Sequence, residues 1–313
     1  MTTTYPPIDL SDVRRMHAAL GKLLSTVRRR IPDAWTPTWH SDAENEVKVT
    51  SALPRTDGGL WGKSPLSTVF PVSGMLIDTV IQNADAIHVL LESRATSTLA
   101  LDAQARGVLE AAAQAWWLLE PGLGGRARVA RLYVLRRSSA GRLEQTAGKM
   151  GLPTAVGYGA LVKELDDFYQ GELGLVPMLS SKGNWIGCEN QMPFDYTTRV
   201  KAFMEQIGQD PAAGPYAYYC GASHAELWRI QYSYEEIQRP DGQTVWVPRA
   251  PVATVNAACQ RHAYSRAADT AVSVCVDALT YPAARAFALL GRGASSEELH
   301  QLRQPVRSAL TLR

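Results

Sequence analysis

The sequence predicts an all-α fold: a multi-helix bundle with one small β-hairpin and long irregular segments. Three observations lead there. Apolar residues recur at helical spacing through most of the chain, residues 108–119 are apolar around the whole helical circumference, and one short stretch alone reads as strand, turn, strand. With 313 residues, 46% hydrophobic and 20% charged, the chain has enough apolar surface to bury a large core.

Ser11 is read as the N-cap of a first helix in which Val13, Met16, Leu20, Leu23, Leu24 and Val27 share one face. Arg28, Arg29 and Arg30 fall in its last turn, where the helix dipole favours cations. Residues 31–71 are rich in Pro, Gly, Asp, Ser and Thr and carry Trp35, Trp39 and Trp61, which predicts an irregular segment wrapping the helical body. Helices are expected over 72–93, 97–119 and 124–149 as antiparallel neighbours, with Pro121, Gly122, Gly124 and Gly125 stopping the second.

A shorter helix over 158–170 leads into a Gly/Pro-rich stretch, 171–193, read as a surface loop or a lid. Helices over 197–208 and 214–230 follow, and then the period changes. Residues 232–238 and 243–247 flank Arg239-Pro240-Asp241-Gly242, which predicts the hairpin. A long helix over 252–290, with a break at Pro282, and a short one over 296–303 complete the chain. The organisation expected is an N-terminal helix with its wrapping segment, 1–70, and a main helical domain, 71–313, carrying the hairpin near 232–247.

A net charge of +2 implies neither a nucleic-acid nor a membrane partner through global balance, so any basic surface has to be local. Cys188, Cys220, Cys259 and Cys275 form no CxxC pair and lack zinc-ligand spacing, and arginines occupy the first 30 residues where a signal peptide needs an apolar core. Reduced thiols and a cytoplasmic location are expected. No window approaches the roughly 18 apolar residues of a membrane span.

Glu110 lies inside the apolar helix, where a carboxylate is costly unless paired or hydrogen-bonded. Arg106, one turn earlier, is its nearest candidate partner, and Asp102 extends the same row. The next helix holds Arg126, Arg128, Arg131, Arg136, Arg137 and Arg142 with no acid among them. Guanidinium forks suit phosphate and carboxylate, and Arg126 and Arg128 lie near a helix start, where backbone N–H groups also favour an anion. The competing reading has these arginines neutralising buried acids or facing water. His224, flanked by Tyr219 and Ser223, is the histidine placed to act as acid or base, against the alternative of a structural core histidine.

Asp85-x-x-His88 matches half of a di-iron helix pattern, without a second pair. Asp269, Ser273 and Asp277, with Asp166 and Asp167 earlier in the chain, resemble the two magnesium-binding motifs of class I terpene cyclases. That resemblance implies a magnesium-dependent enzyme acting on a diphosphate. Here Asp stands first in the triad and last, where those enzymes place Asn and Glu.

The pattern Arg106-x-x-x-Glu110 with Trp116-Trp117-Leu118-Leu119, then Arg128-x-x-Arg131 and Tyr219-x-x-x-Ser223-His224, resembles an all-helical family of uncharacterised actinobacterial proteins. More loosely it resembles the HEPN-like (higher eukaryote and prokaryote nucleotide-binding) helical proteins. The likeness extends over residues 75–280 and implies a helical scaffold with RNA or a nucleotide as ligand. HEPN ribonucleases place an Arg four to six residues before a His on one helix, and no histidine of this chain has one at that distance.

The leading expectation is therefore an anion-binding helical protein, with a nucleotide, RNA or diphosphate as ligand and no cofactor. Its ligand-binding residues are Arg106, Arg126, Arg128, Arg131, Trp117 and Tyr219; His224 and Glu110 are the candidate catalytic pair, and catalysis is undecided. The alternatives are the magnesium enzyme and a non-catalytic interaction protein with a homo-oligomer as one partner.

Overall fold

Met16, Leu20, Leu23, Leu24 and Val27 form the buried stripe of helix α1 (Leu10–Arg30), which packs against α3 (Val69–Glu92) and α8 (Ala258–Leu289). The computed structural model describes residues 10–31, 35, 37–62, 64–92, 98–150, 155–208, 216–217, 219–220, 234–238, 244–248, 258–291, 297–298 and 301. Between α3 and α8 runs α4 (Thr98–Leu119), whose Leu101, Ala105, Val108, Leu109, Ala112, Ala115 and Leu118 are fully buried. Each such leucine contributes on the order of 2 kcal/mol of transfer free energy, so this three-helix contact is the centre of the core. The fold is all-α, as the sequence predicts.

Pro121 and Gly122, the latter at φ 77°, end α4 as expected. The next helix, α5 (Gly125–Lys149), then diverges. It packs chiefly on α6 (Ala155–Asp166), because the remaining faces of α4 are covered by α8 and by α7 (Tyr196–Gln206). The expectation of three antiparallel neighbours thus holds for α3 and α4 but not for α5. Asp195 caps α7, accepting from the Thr198 amide at 3.1 Å.

Two tryptophans of the segment 31–71 are packed against the rest of the fold. Trp35 stacks on Phe287 of α8 and sits so close to Gly74 of α3 that no Cβ fits there. Trp61 is buried and donates to the Leu173 carbonyl at 2.7 Å. Trp39 remains 78% exposed and pins nothing. A short helix that the apolar periodicity does not reveal lies within this segment: α2 (Asp42–Ser51), capped by Ser41, whose hydroxyl accepts from the Glu44 amide.

A hairpin of β3 (Tyr234–Gln238) and β4 (Thr244–Pro248), with Glu236 opposite Trp246, stands where the turn chemistry places it. The Gly/Pro-rich stretch contains a second, smaller one, β1 (Pro177–Leu179) with β2 (Trp185–Cys188), reached from α6 through a π-helical turn, Asp167–Glu172. Pro282 does not break α8. The helix passes through it, and the close packing of Leu279, Ala283 and Ala284 offsets the helix hydrogen bond that proline removes. Among the described residues no helix is long and apolar enough to cross a membrane.

Candidate functional site

The last carbonyls of α4 have no intrahelical donors, and three arginines supply them. Arg131 Nη1 donates to the Trp117 carbonyl at 2.6 Å, Arg128 Nη1 to that of Leu118, and Arg285 Nε to that of Leu119 at 3.1 Å. Cations at this position also oppose the negative end of the α4 dipole. Two of the six arginines that make α5 conspicuous in the sequence, Arg128 and Arg131, therefore serve as a helix C-cap supplied from a neighbouring helix.

Arg128 is fully buried and pairs with Glu46 of α2, Nε to Oε2 at 3.1 Å and Nη2 to Oε1 at 3.3 Å, with a further bond to the Leu123 carbonyl. Its role as an anion-holding residue is corrected by this geometry, because every nitrogen of its guanidinium is bonded within the protein. The start of α5 is also covered, since Thr50 of α2 presses against Gly125 and leaves no space for a Cβ. Arg126 likewise turns inward, donating to the Gly174 carbonyl at 2.9 Å and to Glu189 at 2.7 Å. Glu189 has the positive backbone φ of 49° that non-glycine residues seldom adopt. Burial pushes its carboxyl up, but Arg126 and the Val176 amide more than offset this and hold it below the ordinary range. Arg137 clasps Asp166 with two bonds, 2.8 and 3.1 Å, and lies over Trp185.

Glu110 is half-buried and has the partners its position demands. Arg106 Nε donates to Oε1 at 2.6 Å, and the Tyr216 hydroxyl donates to the same oxygen at 2.8 Å. Burial and this carboxylate together push the Tyr216 phenol well above its usual range. One turn further along α4, the Gln114 amide reaches the Tyr196 hydroxyl at 3.4 Å. Tyr219 is fully buried, so it does not line an open surface. His224 lies outside the described residues, as does its proposed catalytic pairing with Glu110. The structure does not bring Glu110 and Arg128 together: Arg128 bonds Glu46 and the carbonyls at the α4 terminus, whereas Glu110 bonds Arg106 and Tyr216.

Arg131 belongs to a different group, at the junction of α4, α5 and α7. Its guanidinium lies 5.1 Å from the centroid of the Trp117 ring, and that of Arg199 from α7 lies at the same distance. Arg131 Nε donates to Gln191 at 2.8 Å and Nη1 to Glu120, which is 46% exposed. Among the described residues Nη2 has no acceptor. Desolvation depresses the proton affinity of Arg131, Glu120 offsets part of this, and the positive charges of Arg199 and Arg128 depress it further.

From Trp117 an aromatic chain runs outward through Phe194 at 5.4 Å and Tyr196 at 5.1 Å, and Arg142 of α5 lies over the Tyr196 ring. Arg142 and Arg199 have aromatic contacts but no carboxylate partner among the described residues, although the charge of Arg199 is felt by Asp195 one turn earlier. Arg199, Tyr196 and Gln191 carry no motif and were not singled out from the sequence. The signal available was a cap, Asp195, set between two aromatics and followed one turn later by an arginine.

Of the residues that resemble magnesium-binding motifs, those described have other surroundings. Asp166 is held by Arg137 and by the Tyr133 hydroxyl at 2.6 Å, and Asp167 pairs with Lys163 at 2.6 Å. Asp277 is buried on α8, while the side chains of Asp269 and Ser273 fall outside the described ones. No group of three or more His, Cys, Asp or Glu residues able to hold a metal occurs among the described residues. In comparison with known proteins, no family model, curated protein or solved structure matches the chain.

Proposed function

We propose that this chain is a helical binding protein for a phosphate-bearing anion, a nucleotide or single-stranded RNA, engaged where α4, α5 and α7 meet. One observation carries the reading. Arg142 and Arg199 flank a connected aromatic chain and have no carboxylate partner among the described residues, whereas Arg126, Arg128, Arg131 and Arg137 are all bonded within the protein. Contact with Tyr196 and Trp117 positions these two guanidinium groups, whose N–H donors suit phosphate oxygens. Partly buried Tyr196 adds a ring edge against which a base packs. The HEPN-like resemblance, with its nucleotide and RNA ligands, fits this reading. Catalysis is not part of it.

The test is equilibrium binding of ATP and of a short single-stranded RNA to the wild type, Arg142→Ala, Arg199→Ala and Arg128→Met. The surface variants are expected to weaken binding about tenfold each, in line with loss of a charge-assisted contact, and Arg128→Met to leave it unchanged wherever the protein stays folded. No binding to the wild type, or equal binding to the wild type and both surface variants, refutes the reading.

A further inference from the structure

Trp117 is 3% exposed, and its indole Nε1 is buried without a hydrogen-bond acceptor among the described residues. A buried N–H left unpaired is costly, and a bound anion is one acceptor that would relieve it. The surroundings state what kind. Two guanidinium carbons lie 5.1 Å from the centroid of the same ring. Nη2 of Arg131 is without an acceptor among the described residues, and so is the whole Arg199 head group. Against these donors stand two carboxylates: Asp195, which feels the charge of Arg199 from one turn earlier, and Glu120, which is half in solvent and bonded to Arg131.

We infer that Trp117, Arg131 and Arg199 form an oxyanion subsite that takes a phosphate group, and that Glu120 is the resident counter-ion the phosphate displaces. The inference rests on the anion-binding reading above and names the part of the ligand that enters deepest. A tetrahedral oxyanion offers several acceptor oxygens. Its oxygens accept at about 2.9 Å, so the subsite requires the indole N–H and the two guanidinium edges to converge on one phosphate. The floor, Trp117 and Arg131, is buried, whereas Glu120 at the rim is 46% exposed and is free to swing into water. Gln191 keeps the Arg131 fork in place from the other side through its bond to Nε. Because a carboxylate already occupies Arg131, the empty site is electrostatically tolerable, and binding is an exchange of one anion for another.

The test uses the full chain, labelled with nitrogen-15 and titrated with inorganic phosphate. Of the eight tryptophans, the Trp117 indole N–H resonance is the one absent from Trp117→Phe, a variant that retains an aromatic ring and whose folding is checked by circular dichroism. Phosphate is expected to shift this resonance downfield, and sodium chloride of equal ionic strength is not. Glu120→Gln removes the competing charge and is expected to reach saturation at about three- to tenfold lower phosphate. An unmoved resonance in both the wild type and Glu120→Gln, or an equal shift with chloride, overturns the subsite. If ATP and RNA still bind through Arg142 and Arg199 while the resonance stays still, the wider reading stands and only the subsite falls. If phosphate moves the resonance but neither ATP nor RNA binds, the subsite stands as a small-anion site and the wider reading falls.

Discussion

Arg131 holds Trp117 twice: its guanidinium donates to the Trp117 carbonyl at 2.6 Å and lies 5.1 Å from the centroid of the Trp117 ring. One residue thereby caps the backbone of α4 and fixes the side chain that forms the floor of the proposed subsite. Stability and binding are coupled at this point, and they separate at the neighbouring arginines.

Arg128→Ala removes a fully buried guanidinium and leaves Glu46, the Leu118 carbonyl and the Leu123 carbonyl without their donor. The expected cost is about 3 kcal/mol, since removing one partner leaves buried polar groups uncompensated. Arg142→Ala is expected to change stability by less than about 0.5 kcal/mol. Urea denaturation of the two variants checks the contrast, which disappears if Arg128 is not a structural residue.

At Gly74→Ala the new methyl group meets the Trp35 indole, which must move away from α3 and from Phe287. Overpacking at such a contact costs about 1–3 kcal/mol. A lower melting temperature together with a red-shifted tryptophan emission is the expected result, and unchanged emission contradicts the packing.

His17 of α1 and His88 of α3 stack with ring centroids 3.9 Å apart, and Gly21 makes room for them: a Cβ there would lie 2.8 Å from the His88 ring. Burial, then the nearby charge of His17, lowers the His88 pKa below its ordinary value of 6.5, with Glu92 opposing and Arg28 assisting. The folded state then binds fewer protons than the unfolded chain, so this contribution is present above about pH 6.5 and is lost as pH falls through the folded value. His88→Gln is expected to flatten the fall of melting temperature between about pH 7.5 and pH 5. An identical fall in the variant removes His88 from the account.

For the Glu110 group, a double-mutant cycle of Glu110→Gln with Tyr216→Phe is expected to give a coupling of about 1–2 kcal/mol, as for a hydrogen bond to a charged acceptor. Coupling near zero in chemical denaturation contradicts the 2.8 Å contact.

The helices α3, α4 and α5 are legible in the sequence because apolar spacing and the Pro121-Gly122 stop are local signals. The partner of Glu110 is legible for the same reason, as Arg106 stands one turn away. The use of the α5 arginines is not. Whether Arg128 faces a ligand or the Leu118 carbonyl depends on where α5 crosses the end of α4, a relation between helices that no local pattern encodes. Helix α2 escapes for a different reason: it buries few apolar residues and owes its start to the Ser41 cap and to Asp42 and Glu44 in its first turn. Arg199 is an ordinary helix residue until folding sets it over Trp117.

Calorimetric titration of ATP into the wild type and into an Arg142→Ala/Arg199→Ala double variant, over a range of salt concentrations, tests the central claim most directly. Saturable binding to the wild type that weakens with salt, and a loss of about 100-fold in the double variant at unchanged fold, is the predicted result. Equal affinity in the two proteins, or no heat with the wild type, contradicts it.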